Sequence, residues 1–310
     1  MIPLIAVIGP TAVGKSKLSL HIAQRFNGEI INADSRQVYR FMDIGTAKPD
    51  NLERDLVTHH LIDIINPDET FSLAIYQKLA GEAIHNIQKK DKLPILVGGS
   101  GLYVWSVIEG WTIPEVSPSI KFRKQMETIA HKKGVQFLFD ELRNVDPVAA
   151  DKIMPTNLRR IIRALEVYNA SGKPPSEFWH KQPLQIPVLL IGVTVERRIL
   201  YEMIDCRVDT MIERGLIDEV KNLVNRGYSL DLPSMSGIGY QQIGMFLNNK
   251  LGLPEAIQQI KYDTHKFVRR QYNWFQLTDN RIQWFDICDN IQERVDAAIE
   301  VFITDSNLRE

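Results

Sequence analysis

An α/β fold, built on one parallel sheet flanked by helices, is predicted by three observations. Short apolar runs alternate with helix-period stretches through the first third of the chain. A glycine- and lysine-bearing motif sits where the first strand meets the first helix. A basic, helix-patterned stretch over residues 115–186 then interrupts the alternation, which resumes with an apolar run at residue 188.

The elements follow in order. Leu4-Ile5-Ala6-Val7-Ile8 reads as a buried strand, and Leu18, Leu20, Ile22 and Ala23 keep helical spacing. Between them, Gly9-Pro10-Thr11-Ala12-Val13-Gly14-Lys15-Ser16 fits G-x-x-x-x-G-K-[ST] at every fixed position. Such a loop turns successive backbone N–H groups inward at the positive end of a helix. Gly9 and Gly14 permit that path, Lys15 reaches phosphate oxygens, and the Ser16 hydroxyl suits Mg²⁺. Residues 9–16 are therefore assigned to a polyphosphate and Ser16 to a metal ion.

A second apolar run covers 29–33 and a third 93–97, with a helical pattern over 72–88 between them. Strands separated by helices imply parallel pairing and right-handed crossovers, a P-loop NTPase-like plan in which ligands sit at the carboxyl ends of strands. That rule gathers the phosphate loop, the Asp34-Ser35 turn and the Gly98-Gly99-Ser100-Gly101 turn around one crevice. Pro114 and Pro118 open the basic stretch, and Pro183 and Pro187 close it. Residues 115–186 are thus expected to form a helical insertion domain in a core made of 1–114 and 187–310. Within it Leu158, Ile161, Ile162, Leu165 and Tyr168 keep helical spacing, while Arg159, Arg160 and Arg163 mark another face. A strand over 188–195, helices over 196–213, 215–226, 238–248 and 254–277, and a last strand over 282–287 complete the core.

Composition narrows the setting. The 310 residues are 44% apolar and 24% charged, ordinary for a soluble globular protein. Met1 leads straight into the first strand, so no targeting segment is expected, and no apolar run approaches a membrane span. Cys206 and Cys288 are isolated, which fits neither a disulfide framework nor a thiolate metal site and points to the cytoplasm. A net charge of −1 gives no global sign of nucleic-acid binding. Local clusters, such as Lys121, Arg123 and Lys124 or Arg159, Arg160 and Arg163, suggest an anionic partner gripped by discrete patches.

A phosphate loop alone supports many activities. Asp34 ends the second apolar run, where an acid serves equally well as a magnesium anchor or as a general base. The absence of an N-K-x-D segment disfavours a GTPase, while an ATP-dependent small-molecule kinase stays open.

Further motifs carry a resemblance. The phosphate loop, Asp34-Ser35-Arg36-Gln37-Val38-Tyr39, Met42-Asp43-Ile44-Gly45-Thr46-Ala47-Lys48-Pro49 and His59-His60-Leu61-Ile62-Asp63 are similar to the bacterial tRNA dimethylallyltransferases. So are Val97 to Tyr103, Arg163 to Val167, Gly237 to Gln241 and Arg269 to Trp274, nearly the whole chain in order. Ser100 stands where that family usually carries Thr, which keeps the hydroxyl.

The resemblance implies transfer of a dimethylallyl group from its diphosphate to N6 of the adenosine immediately 3′ of a tRNA anticodon, releasing pyrophosphate, with Mg²⁺ as cofactor. By it, Asp34 is the general base, Thr11 contacts the donor diphosphate and Arg207 is poised on the leaving pyrophosphate. Asp34, Ser35, Arg36, Gln37 and Ser100 face the extruded base and its neighbours. Arg123 and the segment Arg159, Arg160, Ile161, Ile162, Arg163 contact the anticodon stem-loop. A monomer is expected, and prenylation of free adenine nucleotides is the nearest alternative. His59-His60, Tyr272 and Trp274 read as structural, and Cys206 as a packed thiol.

Overall fold

A computed structural model describes residues 2–287 and 290–307; Cys288 lies outside the described residues. In chain order, β1 (Leu4–Ile8), α1 (Lys15–Arg25), β2 (Gly28–Asn32), α2 (Asn51–Leu56), β3 (His59–His60), α3 (Leu73–Gln88), β4 (Leu93–Gly98) and α4 (Gly101–Ile108) come first. Four helices follow: α5 (Ile120–Lys133), α6 (Val135–Val145), α7 (Pro147–Lys152) and α8 (Leu158–Ser171). The chain then forms β5 (Val188–Thr194), α9 (Arg197–Glu213), α10 (Leu216–Asn225), α11 (Tyr240–Leu247), α12 (Leu253–Trp274), β6 (Ile282–Asp286) and α13 (Ile291–Asn307).

The strands make one six-stranded sheet in the order β3-β2-β4-β1-β5-β6, parallel throughout. All five residues of β1 are buried, because a parallel sheet covered on both faces needs apolar side chains on each. The chain fills one side of β1 before crossing to the other, so a topological switch point lies beside β1. Register fixes what meets there. Ile8 pairs with Gly98, and Asn32 with Val97, so β1, β2 and β4 end at nearly the same level.

The edge strand β3 is not legible as a strand in the sequence, being two histidines long. His60 Nε2 lies 2.7 Å from the Glu29 carboxylate, and Lys92 donates to the same group at 2.9 Å. Burial alone would raise the Glu29 pKa, but these bonds and that from Lys90 hold the carboxyl at about 2. His59 Nδ1 is 2.8 Å from the Val57 carbonyl. Helix α13 is a second element absent from the sequence reading, although Val295, Ala298, Ile299 and Phe302 carry its apolar period.

Two compact units divide the chain: one of Met1–Phe71, Ile75–Ile108 and Leu184–Glu310, the other of Ser72–Ala74 and Glu109–Pro183. The second unit begins before the proline break because Gln182 N–H donates to Gly110 O at 2.8 Å and Thr112 N–H to His180 O at 2.9 Å. Its own core joins Leu138, Phe139, Leu142, Ile161, Ile162 and Leu165 across α6 and α8. Buried Asp146 caps α7 through Ala149 N–H at 2.9 Å and also accepts from Ser176 N–H at 2.7 Å.

Candidate active site

The phosphate loop turns between β1 and α1 on three positive φ values: 140° at Gly9, 70° at Ala12 and 89° at Gly14. Gly9 cannot be replaced freely, since a Cβ there would strike the Val193 carbonyl as well as face the wrong φ. Lys15 and Ser16 form the first turn of α1, where the helix dipole favours an anion.

A cavity of about 780 Å³ opens over this loop. Thr11, Ala12, Gly14, Lys15 and Ser16 line one side, Asp34 and Gln37 another, and Met203, Cys206, Arg207 and Thr210 of α9 a third. Gly9, Pro10 and Val13 lie buried beneath it and shape the backbone rather than the wall. The charged groups feel one another. Burial is the main cause that pushes the Lys15 amine down to about 7, with the Asp34 charge opposing and Arg207 reinforcing. Burial likewise lowers the Arg207 pKa while Asp34 supports its charge. Lys15, Arg207 and Asp34 share this pocket, which Lys17, Arg214, Glu53 and Glu202 also line, and the Lys15 Nζ donates to Pro10 O at 2.6 Å.

Asp34 is held by an Asx turn. Its Oδ1 accepts from Arg36 N–H at 2.8 Å, and Asn32 Oδ1 accepts from Asp34 N–H at 2.9 Å. Ser35 N–H donates to Ser100 Oγ at 3.1 Å, which ties this turn to the one after β4. Stacked Tyr76 and Tyr103 lie 3.7 Å apart by ring centroids, and burial, with the Asp34 charge contributing, raises the pKa of both phenols.

The sequence-assigned residues separate into groups. Thr11, Lys15, Ser16, Asp34, Gln37 and Arg207 share the cavity, and Ser35 and Ser100 are bonded at its edge. The Arg36 guanidinium donates to Pro233 O at 2.8 Å and Ser234 O at 3.1 Å, anchoring a loop. Glu202 and Asp205, possible partners of Arg207, pair instead with Arg198 and His265. Cys206 is exposed rather than packed, and Trp274 is partly exposed rather than core.

In the helical unit, Arg159 and Arg160 are exposed. Ile161 and Ile162 are buried in that unit's core, at 0% and 4% exposure. Their i and i+1 positions fall on the apolar face of α8, opposite the arginines. Arg123 and Arg163 both bind the buried Glu166 carboxylate at 2.7 Å, and Ser119 N–H adds a bond at 2.7 Å. Burial pulls the Glu166 pKa up, yet these donors outweigh it and leave the carboxyl at about 2.

Three supporting residues escape sequence reasoning. The Glu219 carboxylate accepts from the N–H groups of Asp43, Ile44 and Gly45 and from Tyr240 Oη, fixing the loop that carries Ile44, Thr46 and Ala47 into the cavity. Lys48, its side chain 1% exposed, holds Asp43 at 2.7 Å and Asp63 at 2.5 Å. Gln271 of α12 accepts from Thr11 N–H and donates to Gly99 O. The motif holding Asp43 and Lys48 and the Arg269 to Trp274 string holding Gln271 were visible signals, without the partners; nothing local marks Glu219.

The donor set also bears on a metal. An exposed hydroxyl, Ser16, stands at the cradle, and no group of three or more His, Cys, Asp or Glu suited to a metal occurs among the described residues. One protein oxygen beside a phosphate site fits Mg²⁺, which keeps its waters and shares phosphate oxygens, better than a metal needing a full protein cage.

A family model described as IPP transferase matches residues 37–278. The chain belongs to that family. It is 49% identical over 299 residues to a tRNA dimethylallyltransferase of Roseiflexus castenholzii, spanning 96% of this chain and 98% of the relative. It is 53% identical over 280 residues to one of Roseiflexus sp., spanning 90% and 92%. The crystal structure of the full-length tRNA isopentenylpyrophosphate transferase from Bacillus halodurans superposes with a TM-score of 0.73 at 40% identity, covering 99% of this chain and 98% of that one. A eukaryotic dimethylallyltransferase acting on tRNA superposes at 0.84 with 28% identity, covering 98% and 80%. The fold is thus the P-loop NTPase-like one expected, and the protein is a member of a transferase family.

Proposed function

We propose that the protein is a tRNA dimethylallyltransferase: it moves the dimethylallyl group of dimethylallyl diphosphate to N6 of the adenosine immediately 3′ of the anticodon and releases pyrophosphate. One observation carries this reading. A carboxylate, Asp34, lines the same cavity as Lys15 and Arg207 and acts electrostatically on both, at a phosphate loop. A phosphate-loop kinase would also pair a cationic clamp with a carboxylate base, so it is the family match and the likeness to tRNA dimethylallyltransferases that favour prenyl transfer at this site.

The chemistry follows from the residues. Carbon–oxygen cleavage builds negative charge on the departing pyrophosphate. The backbone N–H groups of Ala12 to Ser16, Lys15 and Arg207 meet that charge. The Thr11 hydroxyl is assigned to the same diphosphate. Mg²⁺, held by Ser16 and the donor's oxygens, would supply further charge neutralisation there.

The N6 lone pair is delocalised into the purine, so attack needs loss of an N6 proton, and Asp34 is assigned as the acceptor. Ser35, Gln37 and Ser100 face the extruded base, while Arg159 and Arg160 meet tRNA phosphates. Arg123 and Arg163 join them with their remaining donors, since Glu166 holds two nitrogens of Arg123, and Glu166 and the Val116 carbonyl hold one each of Arg163. No described helix is long and apolar enough to cross a membrane, and a cytoplasmic monomer is the proposed state.

Incubation with dimethylallyl diphosphate, Mg²⁺ and unmodified tRNA bearing an adenosine-rich anticodon loop should give prenylated adenosine and pyrophosphate in equal amounts. Folded protein that yields neither ends the proposal; faster reaction on AMP than on tRNA would reassign the acceptor.

A further inference from the structure

Buried Gln271 joins two turns that the sequence places far apart. Its Oε1 accepts from Thr11 N–H at 2.9 Å, across 260 residues, and its Nε2 donates to Gly99 O at 2.9 Å, across 172. Thr11 lies in the phosphate loop. Gly99 precedes Ser100, whose Oγ accepts from Ser35 N–H at 3.1 Å, and Ser35 follows Asp34. A continuous run of backbone and hydrogen bonds therefore leads from the diphosphate cradle through one side-chain amide to the carboxylate.

The amide has a single workable orientation. Turning it over would set NH₂ against the Thr11 N–H and the oxygen against the Gly99 carbonyl, leaving buried donors and acceptors unpaired. Gln271 is 4% exposed, so water cannot repair such a mismatch cheaply. Gly99 is fitted to it as well, since a Cβ there would collide with Nε2.

Resting on the reading of this crevice as a prenyl-transfer site, we propose that Gln271 is a positioning residue that sets the spacing between the donor cradle and the acceptor turn. It touches neither reacting atom. It holds Thr11 and, through Gly99 and Ser100, the Asp34-Ser35 turn, so that donor carbon and proton acceptor stay in alignment.

The test uses two variants of the full chain alongside the wild type, with single-turnover transfer and separate binding of a non-reactive donor analogue and of tRNA. Gln271→Met keeps length and apolar bulk but makes neither bond. Its rate constant should fall by about a hundredfold, the cost of a misplacement near 1 Å, while both affinities change little. Gln271→Glu supplies a switch within one folded protein. The protonated acid can donate to Gly99 O and accept from Thr11 N–H, whereas the carboxylate faces the Gly99 carbonyl. Burial and that carbonyl raise the acid's pKa, so its rate relative to wild type should climb between about pH 8.5 and about pH 6.

A general packing defect would give a flat ratio, and that result overturns the proposal. So does a Gln271→Met protein with normal rate, or one whose loss lies wholly in affinity. If Gln271→Met does not fold, the Glu series decides alone. Wild-type protein that makes no prenylated adenosine removes the functional reading itself, and the positioning role with it; active wild type with indifferent variants removes only the positioning role.

Discussion

Lys15 should make donor binding strongly pH-dependent. In the free protein, burial and the neighbouring Arg207 outweigh Asp34 and leave the amine at about 7, so near neutral pH it is only partly charged. A diphosphate placed on the loop adds negative charge beside it and raises that pKa. Binding therefore selects the protonated amine. Below pH 7 the free protein already carries the charge and affinity is flat; above it, each pH unit costs about tenfold, or about 1.4 kcal/mol, until the pKa of the complex is reached. With a free-protein value of about 7, the dissociation constant should rise about fiftyfold between pH 7 and pH 9. About 0.9 proton should be taken up per donor bound at pH 8.

The measurement is titration calorimetry with a thiolo analogue of dimethylallyl diphosphate at fixed Mg²⁺, in buffers of different ionisation enthalpy. The analogue's own phosphate ionises near pH 6, below the window. Lys15→Met should bind weakly at every pH and show no uptake. An unchanged dissociation constant across the window, with no proton uptake by the wild type, would falsify the argument that Lys15 is held near neutrality.

Other consequences follow from the same geometry. Asp34→Asn keeps the Asx turn's acceptor but removes the base, so transfer should drop by at least about a hundredfold with tRNA affinity retained; a normal rate would mean that another group takes the proton. Arg159→Ala should weaken tRNA binding and lower the slope of log affinity against log salt by about one, read from filter binding at several salt concentrations. Ile161→Ala should instead destabilise the helical unit by about 2 to 4 kcal/mol in urea denaturation and leave that salt slope unchanged. Glu166→Gln should cost about 3 kcal/mol at pH 7. The Glu166 pKa is depressed in the folded state, so its contribution is complete above the ordinary carboxyl range near 4.5 and fades as pH falls toward about 2. The stability gap between variant and wild type should narrow on acidification from pH 4.5.

The phosphate loop was legible because its determinants are contiguous: the glycines, the lysine and the strand and helix around them act on one turn of backbone. Asp34 was legible for a similar reason, lying just past an apolar strand in a sheet whose ligand edge follows from its parallel order. The period of α8 by itself divided Ile161 and Ile162 from Arg159 and Arg160, and the isoleucines are indeed buried and the arginines exposed.

Tertiary structure alone decided the rest. Arg36 spends its guanidinium on carbonyls 197 and 198 residues away, and Glu219 gathers three amides of a loop 174 to 176 residues away. Gln271 fastens two turns that no periodicity relates. Periodicity reports which face of an element is apolar. It carries no record of which polar atom, far along the chain, a buried side chain will meet, because that choice is made only when the sheet order and the helix packing bring the two together.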